Sequence, residues 1–526
     1  RSGQVADVLT TRIQKLHELD RPDIWQASRK GLEKESLRID PQNELAQTPH
    51  PGLLGAALTN RFVTTDYSEA LLELVTPALE DSAATRQFLC DIHQFVYDGL
   101  GDEMLWPASM PCAVDGDENI PIAEFGKSNI GQMKHVYRRG LSHRYGRMMQ
   151  IIAGVHFNFS FSDDFWETYQ QLLGSDQDPA DFRNQHYMGL VRNFHRTGWL
   201  VLYLFGASPA VCKAFLRGRE TDLQEFDKDT YFHPHATSLR MSDLGYKNQT
   251  QSSMRISVNS LDEYVRDLGR AVSTPHPDYQ RIGVEKDGEY RQLNANQLQI
   301  ENEYYSMIRP KRVISTGQRP TSALAENGVQ YVEVRALDLN VFDPAGVSET
   351  QMRFLESMLL YCLLSESPPI SDSEYQELGV NQGRVAGRGR EPGLTLVRDG
   401  EEVSLKDWAT ELLDGVARVS ELMDSGFDKP LYVSAVETQQ ARVMDPEKTP
   451  SARVLREMAE NNESFLQFGA RWARHHQQFF HGLHRCDPGR VRQFTTEASA
   501  SVARQRDMER KDSLSFKQYL EEYFSG

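Results

Sequence analysis

Cysteine is scarce. The 526-residue chain has five, Cys90, Cys112, Cys212, Cys362 and Cys486, far apart and never in C-x-x-C spacing. A sparse, odd set of this kind excludes a disulfide framework and reads as reduced thiols. Positive charge is also short: 58 Lys and Arg against 75 Asp and Glu leave a formal net charge of −17. That disfavours nucleic acid and anionic membrane as main partners, since both require a basic face. Long apolar runs are missing too. The longest covers Trp199–Phe205, far below the ~20 residues that span a bilayer. The first thirty residues carry Arg12, Lys15, Asp20, Arg21 and Asp23 and have no apolar centre, so they do not read as a secretory signal. The numbering opens on Arg1, and a short N-terminal piece is expected to be absent. No fixed-period repeat or low-complexity tract interrupts the chain. These absences predict a cytoplasmic protein without a membrane partner.

Hydrophobic residues at 39% and charged residues at 25% are globular in proportion, and the length predicts more than one packed subregion. Strict alternation over 155–162 (VHFNFSFS) puts valine and phenylalanines on one face of a strand and His156 with Asn158 on the other. The same period at 331–335 separates Val332 and Val334 from Tyr331, Glu333 and Arg335. At 298–305 it predicts a strand with Gln299, Glu301, Glu303 and Tyr305 on one face. Helical spacing is clear in Phe88, Leu89, Ile92, Phe95, Val96 and Leu100, and in Phe354, Leu355, Met358, Leu359 and Cys362. The second set follows a capping-box start, Ser348 with Gln351. Thr449-Pro450 opens another helix, and helix patterns dominate from about Leu405. Strands early and helices late predict an α+β protein, with a core over 25–400 and a helical C-terminal region over 401–526.

Acids inside strand-like or apolar contexts are the unusual feature. Glu33 and Glu35 lie two apart, on one strand face, and Asp66 and Glu73 are embedded near Leu71, Leu72, Leu74 and Val75. A buried carboxylate is costly unless paired or bound to a metal, and converging acids suit Mg²⁺, which prefers oxygen donors. One such pair alone is more often a solvated strand face, but the pattern recurs in four segments. Three other features resemble sites without meeting their requirements. Gly126-Lys127-Ser128 lacks the first glycine of a phosphate loop, because position 121 is proline. The glycines over 387–393 have the wrong spacing for a dinucleotide fingerprint. His475, His476, His481 and His484 read as decoration of a solvated helix.

Together, these segments resemble the γ-proteobacterial type of the glutamate–cysteine ligase family. The matching runs are GLEKESLRID at 31–40, RFVTTDYSEALLELVTP at 61–77, MLWPASMPC at 104–112, IIAGVHFNFS at 151–160 and YLFGASPAVC at 203–212. They continue with HATSLRMSDLGY at 235–246, LQIENEYYSMIRPKR at 298–312, YVEVRALD at 331–338, GLTL at 393–396 and SARVLREM at 451–458. The resemblance implies a fold like that of glutamine synthetase: a curved, largely antiparallel sheet forming a funnel, with outer helices. It implies metal ligands at Glu33, Glu35, Asp66, Glu73, His156 and Glu333, for Mg²⁺ or Mn²⁺. It implies a cysteine pocket of Tyr137, Leu141, Asn158, Arg240, Tyr246 and Tyr305, with Gln150 and Ile152 near glutamate and Arg335 near the transferred phosphate. One departure is that the run at 380–384 (VNQGR) lacks the tryptophan the family leads one to expect after its asparagine.

The implied activity is ATP-dependent ligation of the γ-carboxyl of L-glutamate to the amine of L-cysteine, the first step of glutathione biosynthesis. Glutathione is then a natural feedback inhibitor. A carboxylate acylates poorly at neutral pH, so ATP first converts it to an acyl phosphate, a step that needs positioning and charge neutralisation rather than a nucleophilic side chain. Acids for the metal, with Arg335 and Arg240 as the catalytic cations, suit that chemistry. Three alternatives share parts of the residue set: a ligase for another amine, a metal-dependent phosphohydrolase and a metal-stabilised binding protein. The tyrosine-rich acceptor pocket is the feature that separates the first, to be decided by a substrate screen, and amine-dependent ATP consumption would exclude the second. The arginines would have no purpose in the third.

Overall fold

A computed structural model describes residues 7–245 and 254–525. Its centre is a seven-stranded sheet in which every pairing is antiparallel. The strands are β1 (Arg29–Ile39), β2 (Val63–Thr65), β3 (Leu71–Val75), β4 (Met104–Leu105), β5 (Val155–Ser160), β6 (Ile308–Lys311) and β7 (Tyr331–Leu337). Their order is β6-β7-β5-β1-β3-β2, with β4 paired to the end of β1. The architecture is α+β, as expected.

Register decides which residues share a face. Leu32 lies opposite Phe157, Phe157 opposite Val334 and Lys34 opposite Leu74. One face therefore carries Leu32, Leu72, Leu74, Val155, Phe157, Phe159, Val332 and Val334, all buried. The helices Ser82–Leu100, Pro179–Thr197 and Trp199–Phe205 cover it. The periodicity of Phe88 to Leu100 puts its apolar stripe into this contact, and all six of those residues are buried. The capping box at Ser348 is formed with Gln351 and opens the helix Glu349–Leu364; Thr449 caps Pro450–Glu460. This core face also holds a buried ion pair: Lys30 Nζ lies 3.1 Å from Glu356 Oε2, and Ser82 and Tyr432 donate to the same carboxylate.

Beyond the hairpin Thr395–Arg398/Glu401–Ser404 the described chain is helical, and the helices Leu405–Asp424 and Leu431–Met444 pack on each other and on Glu349–Leu364. Among the described residues no helix is long and apolar enough to cross a membrane.

Two local expectations are corrected. The segment 298–305 is not a strand but a loop with a 3₁₀ turn at Glu301–Glu303. Its acids form long-range ion pairs instead of lining a strand face. Glu303 accepts from Arg144 at 2.9 Å and Tyr145 at 2.6 Å, and Glu301 from Arg319 and Thr321. The four C-terminal histidines are not uniformly solvated. His475 and His481 are exposed, but His476 is buried with Nε2 at 2.7 Å from the Val341 carbonyl, and His484 is buried with Nε2 at 2.9 Å from Asp91 Oδ1.

Candidate active site

The second face of the sheet is polar. Glu33 is cross-strand from His156, Glu35 from Glu73, Asn158 from Glu333, and Glu333 from Arg309. Cross-strand partners project to the same side, so period-two alternation on five strands brings distant residues into one patch. Asn158 Nδ2 donates to Glu33 Oε1 at 2.8 Å, and His156 Nδ1 lies 3.1 Å from Glu33 Oε2. The imidazole is also 3.8 Å from Glu35 and 3.7 Å from Glu333. Donor atoms of Glu33, Glu73 and His156 all fall within 4.8 Å of one another, spacing that could hold a metal ion. Asp66, in the β2–β3 turn, stands outside that trio, but its charge acts on both Glu35 and Glu73.

The environments of these acids differ. Burial pushes Glu73 well above the ordinary carboxylate range, and the negative charges of Glu33, Asp66 and Glu35 push it further. Burial followed by Asp66 also raises Glu35, although the Gly154 amide donates to it at 2.7 Å. For Glu33 burial acts upward, but the hydrogen bond from His156 and the charge of Lys311 outweigh it, and the net direction is down. Glu333 also goes down: burial is overcome by Lys311, Arg335 and His156. Among the described residues Glu73 has no hydrogen-bond or ion-pair partner. A half-buried carboxylate raised by three like charges fits a divalent cation, as does a donor set of carboxylate oxygens with one imidazole.

Cations border the acids. Arg335 Nη1 donates to Glu333 Oε2 at 3.2 Å, and Lys311 Nζ lies 3.7 Å from Oε1. Burial lowers the Arg335 guanidinium, but Glu333 and Glu35 more than offset it, so it is held charged. Arg240, in the 3₁₀ turn Leu239–Met241, is 1% exposed; it donates to the Arg335 carbonyl at 2.9 Å and lies 3.6 Å from Asp338 Oδ1. Gly154 makes room for it, because a Cβ there would collide with Arg240 Nη2.

The residues singled out for substrates come from several elements. Tyr137 and Leu141 sit one turn apart on the helix Asn129–Tyr145. Gln150 and Ile152 lie in and just after the 3₁₀ turn Met148–Ile151 that feeds β5. The Tyr305 hydroxyl lies 2.9 Å from Met241 Sδ. Tyr246 lies outside the described residues. Two further pairs escaped the sequence reading. Lys134 and Arg138 share a helix side and stack over Phe125 at 5.2 and 4.5 Å. Burial and then Arg138 lower Lys134 to about 8, while Glu73 and Asp66 act to raise it. Arg309 and Lys311 are the polar alternates of β6. Their signals were present as the i, i+4 and i, i+2 spacings, but neither spacing says what lies across from it.

The profile of the Glutamate-cysteine ligase family matches residues 13–385. The chain is 48% identical over 521 residues to the glutamate–cysteine ligase of Alcanivorax borkumensis, covering 98% of this chain and 99% of the relative. Against that of Pseudomonas entomophila it is 49% identical over 496 residues, 94% and 93% of the two chains. Among solved structures it is similar to a glutamate–cysteine ligase from Francisella tularensis in complex with AMP. The TM-score there is 0.89 at 36% identity, over 95% of this chain and 98% of that one. A bifunctional glutathione synthetase from Pasteurella multocida aligns with TM-score 0.71 at 26% identity, over 88% of this chain and 54% of that one.

Proposed function

The chain belongs to the glutamate–cysteine ligase family, and we propose that it joins the γ-carboxyl of L-glutamate to the amine of L-cysteine, with ATP, on the polar face of its sheet. Supporting this reading is one observation above all: Glu33, Glu73 and His156 converge within 4.8 Å, while Arg335 contacts Glu333 beside them.

Glu33, Glu35, Asp66, Glu73, His156 and Glu333 would hold Mg²⁺ or Mn²⁺. Bound there, such ions supply charge neutralisation for the ATP phosphates. The chain's own groups do the rest. Arg335, fixed against Glu333, presents a planar guanidinium to the phosphoryl group in transfer, where preorganised charge is worth most. Arg240 braces the main chain of Arg335 through its carbonyl and brings positive charge to the substrate side. The glutamate carboxylate attacks the γ-phosphorus and ADP departs, leaving γ-glutamyl phosphate. The cysteine amine then attacks the acyl carbon, phosphate leaves, and the amine loses a proton. Tyr137, Leu141, Asn158 and Tyr305 enclose the acceptor, and Gln150 and Ile152 border glutamate. Glutathione contains the γ-glutamylcysteinyl unit of the product, so the same pockets accept it as an inhibitor.

The test is phosphate release from ATP and glutamate, with and without cysteine, in Mg²⁺ and in chelator. Release that requires both cysteine and metal is expected. Release unaffected by cysteine would leave a phosphohydrolase, and activity in chelator would remove the metal assignment.

A further inference from the structure

Arg309 is a buried cation without a counterion in contact. It is 7% exposed, and among the described residues its one hydrogen bond goes to the main-chain carbonyl of Asn302 at 3.2 Å. Its Nε is buried without a partner, and no described carboxylate lies within 4 Å of it. Other buried arginines are better satisfied. Arg192 donates to Ser367 and to the carbonyls of Val258 and Asn259, and Arg144 holds Glu303, Gln292 and the carbonyl of Asn294. A buried guanidinium left this open is costly unless an anion completes it.

Its position says which anion. Register with Glu333 turns Arg309 toward the polar face. Its charge acts on the hydroxyls of Tyr137, Tyr264, Tyr304 and Tyr305. Its charge also acts on Glu333, its cross-strand partner, without an ion-pair contact, so it stands between the Glu333–Arg335 pair and the tyrosines of the acceptor side. We propose that Arg309 receives the α-carboxylate of the acceptor amino acid, so that the acceptor must be an amino acid and not merely an amine. This rests on the acceptor-pocket reading given above. The planar fork of arginine binds a carboxylate in two parallel hydrogen bonds.

Cysteamine tests it, because it has the amine and thiol of cysteine but no carboxylate. Initial rates of phosphate release are measured at fixed glutamate, ATP and Mg²⁺ for the unaltered protein, Arg309→Gln and Arg309→Lys. Cysteamine is read as a substrate or, where turnover is too slow, as a competitor of cysteine. In Arg309→Gln the preference for cysteine over cysteamine should fall by about 10- to 100-fold, the worth of a charged hydrogen-bonded contact. The loss should fall on cysteine alone. Arg309→Lys, which keeps charge without the fork, should shift the preference the same way by less, and serves alone if the glutamine variant does not fold. A merely structural role would lower both acceptors together and leave their ratio unchanged, which would overturn the proposal. So would a defect confined to the Michaelis constant for glutamate. If the unaltered protein shows no cysteine-dependent phosphate release, it is the ligase reading that fails instead.

Discussion

Exchanging Glu73 for glutamine should make the metal-free protein more stable while abolishing turnover. The side chain keeps its shape, and among the described residues it has no hydrogen-bond or ion-pair partner to lose. What it loses is repulsion. Its donor oxygen lies within 4.8 Å of one on Glu33, and at an effective dielectric near 20 two unit charges at that distance repel by about 3 kcal/mol. Partial protonation relieves some of that, so a gain of about 1–3 kcal/mol is expected. The direction with pH follows from the raised carboxyl. A group whose folded value lies above its unfolded value stabilises fully below the unfolded value, and that contribution is lost as pH rises through the folded one. Glu73 therefore destabilises progressively above the ordinary carboxylate range. Glu33 and Glu333, held low, act in the opposite sense, but both proteins contain them.

Denaturant midpoints in chelator at pH 5 and pH 8 are the assay. For a chain this long a kilocalorie moves the melting temperature by only about 1 °C if unfolding is cooperative, so thermal scans are the weaker probe. The variant should exceed the unaltered protein at pH 8, converge with it toward acid, and lose the stabilisation that Mg²⁺ confers on the unaltered protein. A variant less stable than the unaltered protein at pH 8 in chelator, or one that retains turnover in Mg²⁺, would refute the reasoning.

Three further outcomes are expected. Arg335→Lys retains charge but not the fork, so the loss should fall on turnover, about 2–4 kcal/mol by analogy with oxyanion donors; a defect limited to the glutamate Michaelis constant would move Arg335 to substrate binding. Gly154→Ala forces a Cβ against Arg240 Nη2, so the guanidinium must shift from the Arg335 carbonyl that Nη2 holds. A stability loss of about 1–3 kcal/mol is expected, with a fall in kcat/KM. Normal activity and stability would show that Arg240 can reposition freely. The acceptor pocket should rank cysteine first, then L-2-aminobutyrate, with serine and alanine behind by about 1–3 kcal/mol each, because a thiol behaves as a small hydrophobe; serine equal to aminobutyrate would reveal a polar partner in the pocket.

Local periodicity was enough for much of the site. Glu33 with Glu35, His156 with Asn158, and Glu333 with Arg335 each share a strand face because side chains alternate every two residues, whatever lies beyond. Ser348 with Gln351 and Thr449 with Pro450 announced their helices for the same reason: every group involved is within four residues. Chain order of the matching segments supplied the family and, through it, the antiparallel sheet. What local pattern could not supply was the identity of distant partners. The alternation at 298–305 looked like a strand, yet Arg144, more than 150 residues away, draws Glu303 into a buried ion pair and the segment turns. His476 and His484 looked like surface residues until Val341 and Asp91, each more than 130 residues distant, came within hydrogen-bond reach. Arg240 meets Asp338, Lys134 and Arg138 face Asp66 and Glu73, and Arg309 is left without an acid in contact, only once five strands and a helix are assembled. The strand period is fixed by covalent geometry and can be read from a few residues; the pairing of charges depends on which surfaces burial brings together, and that is decided by the tertiary structure.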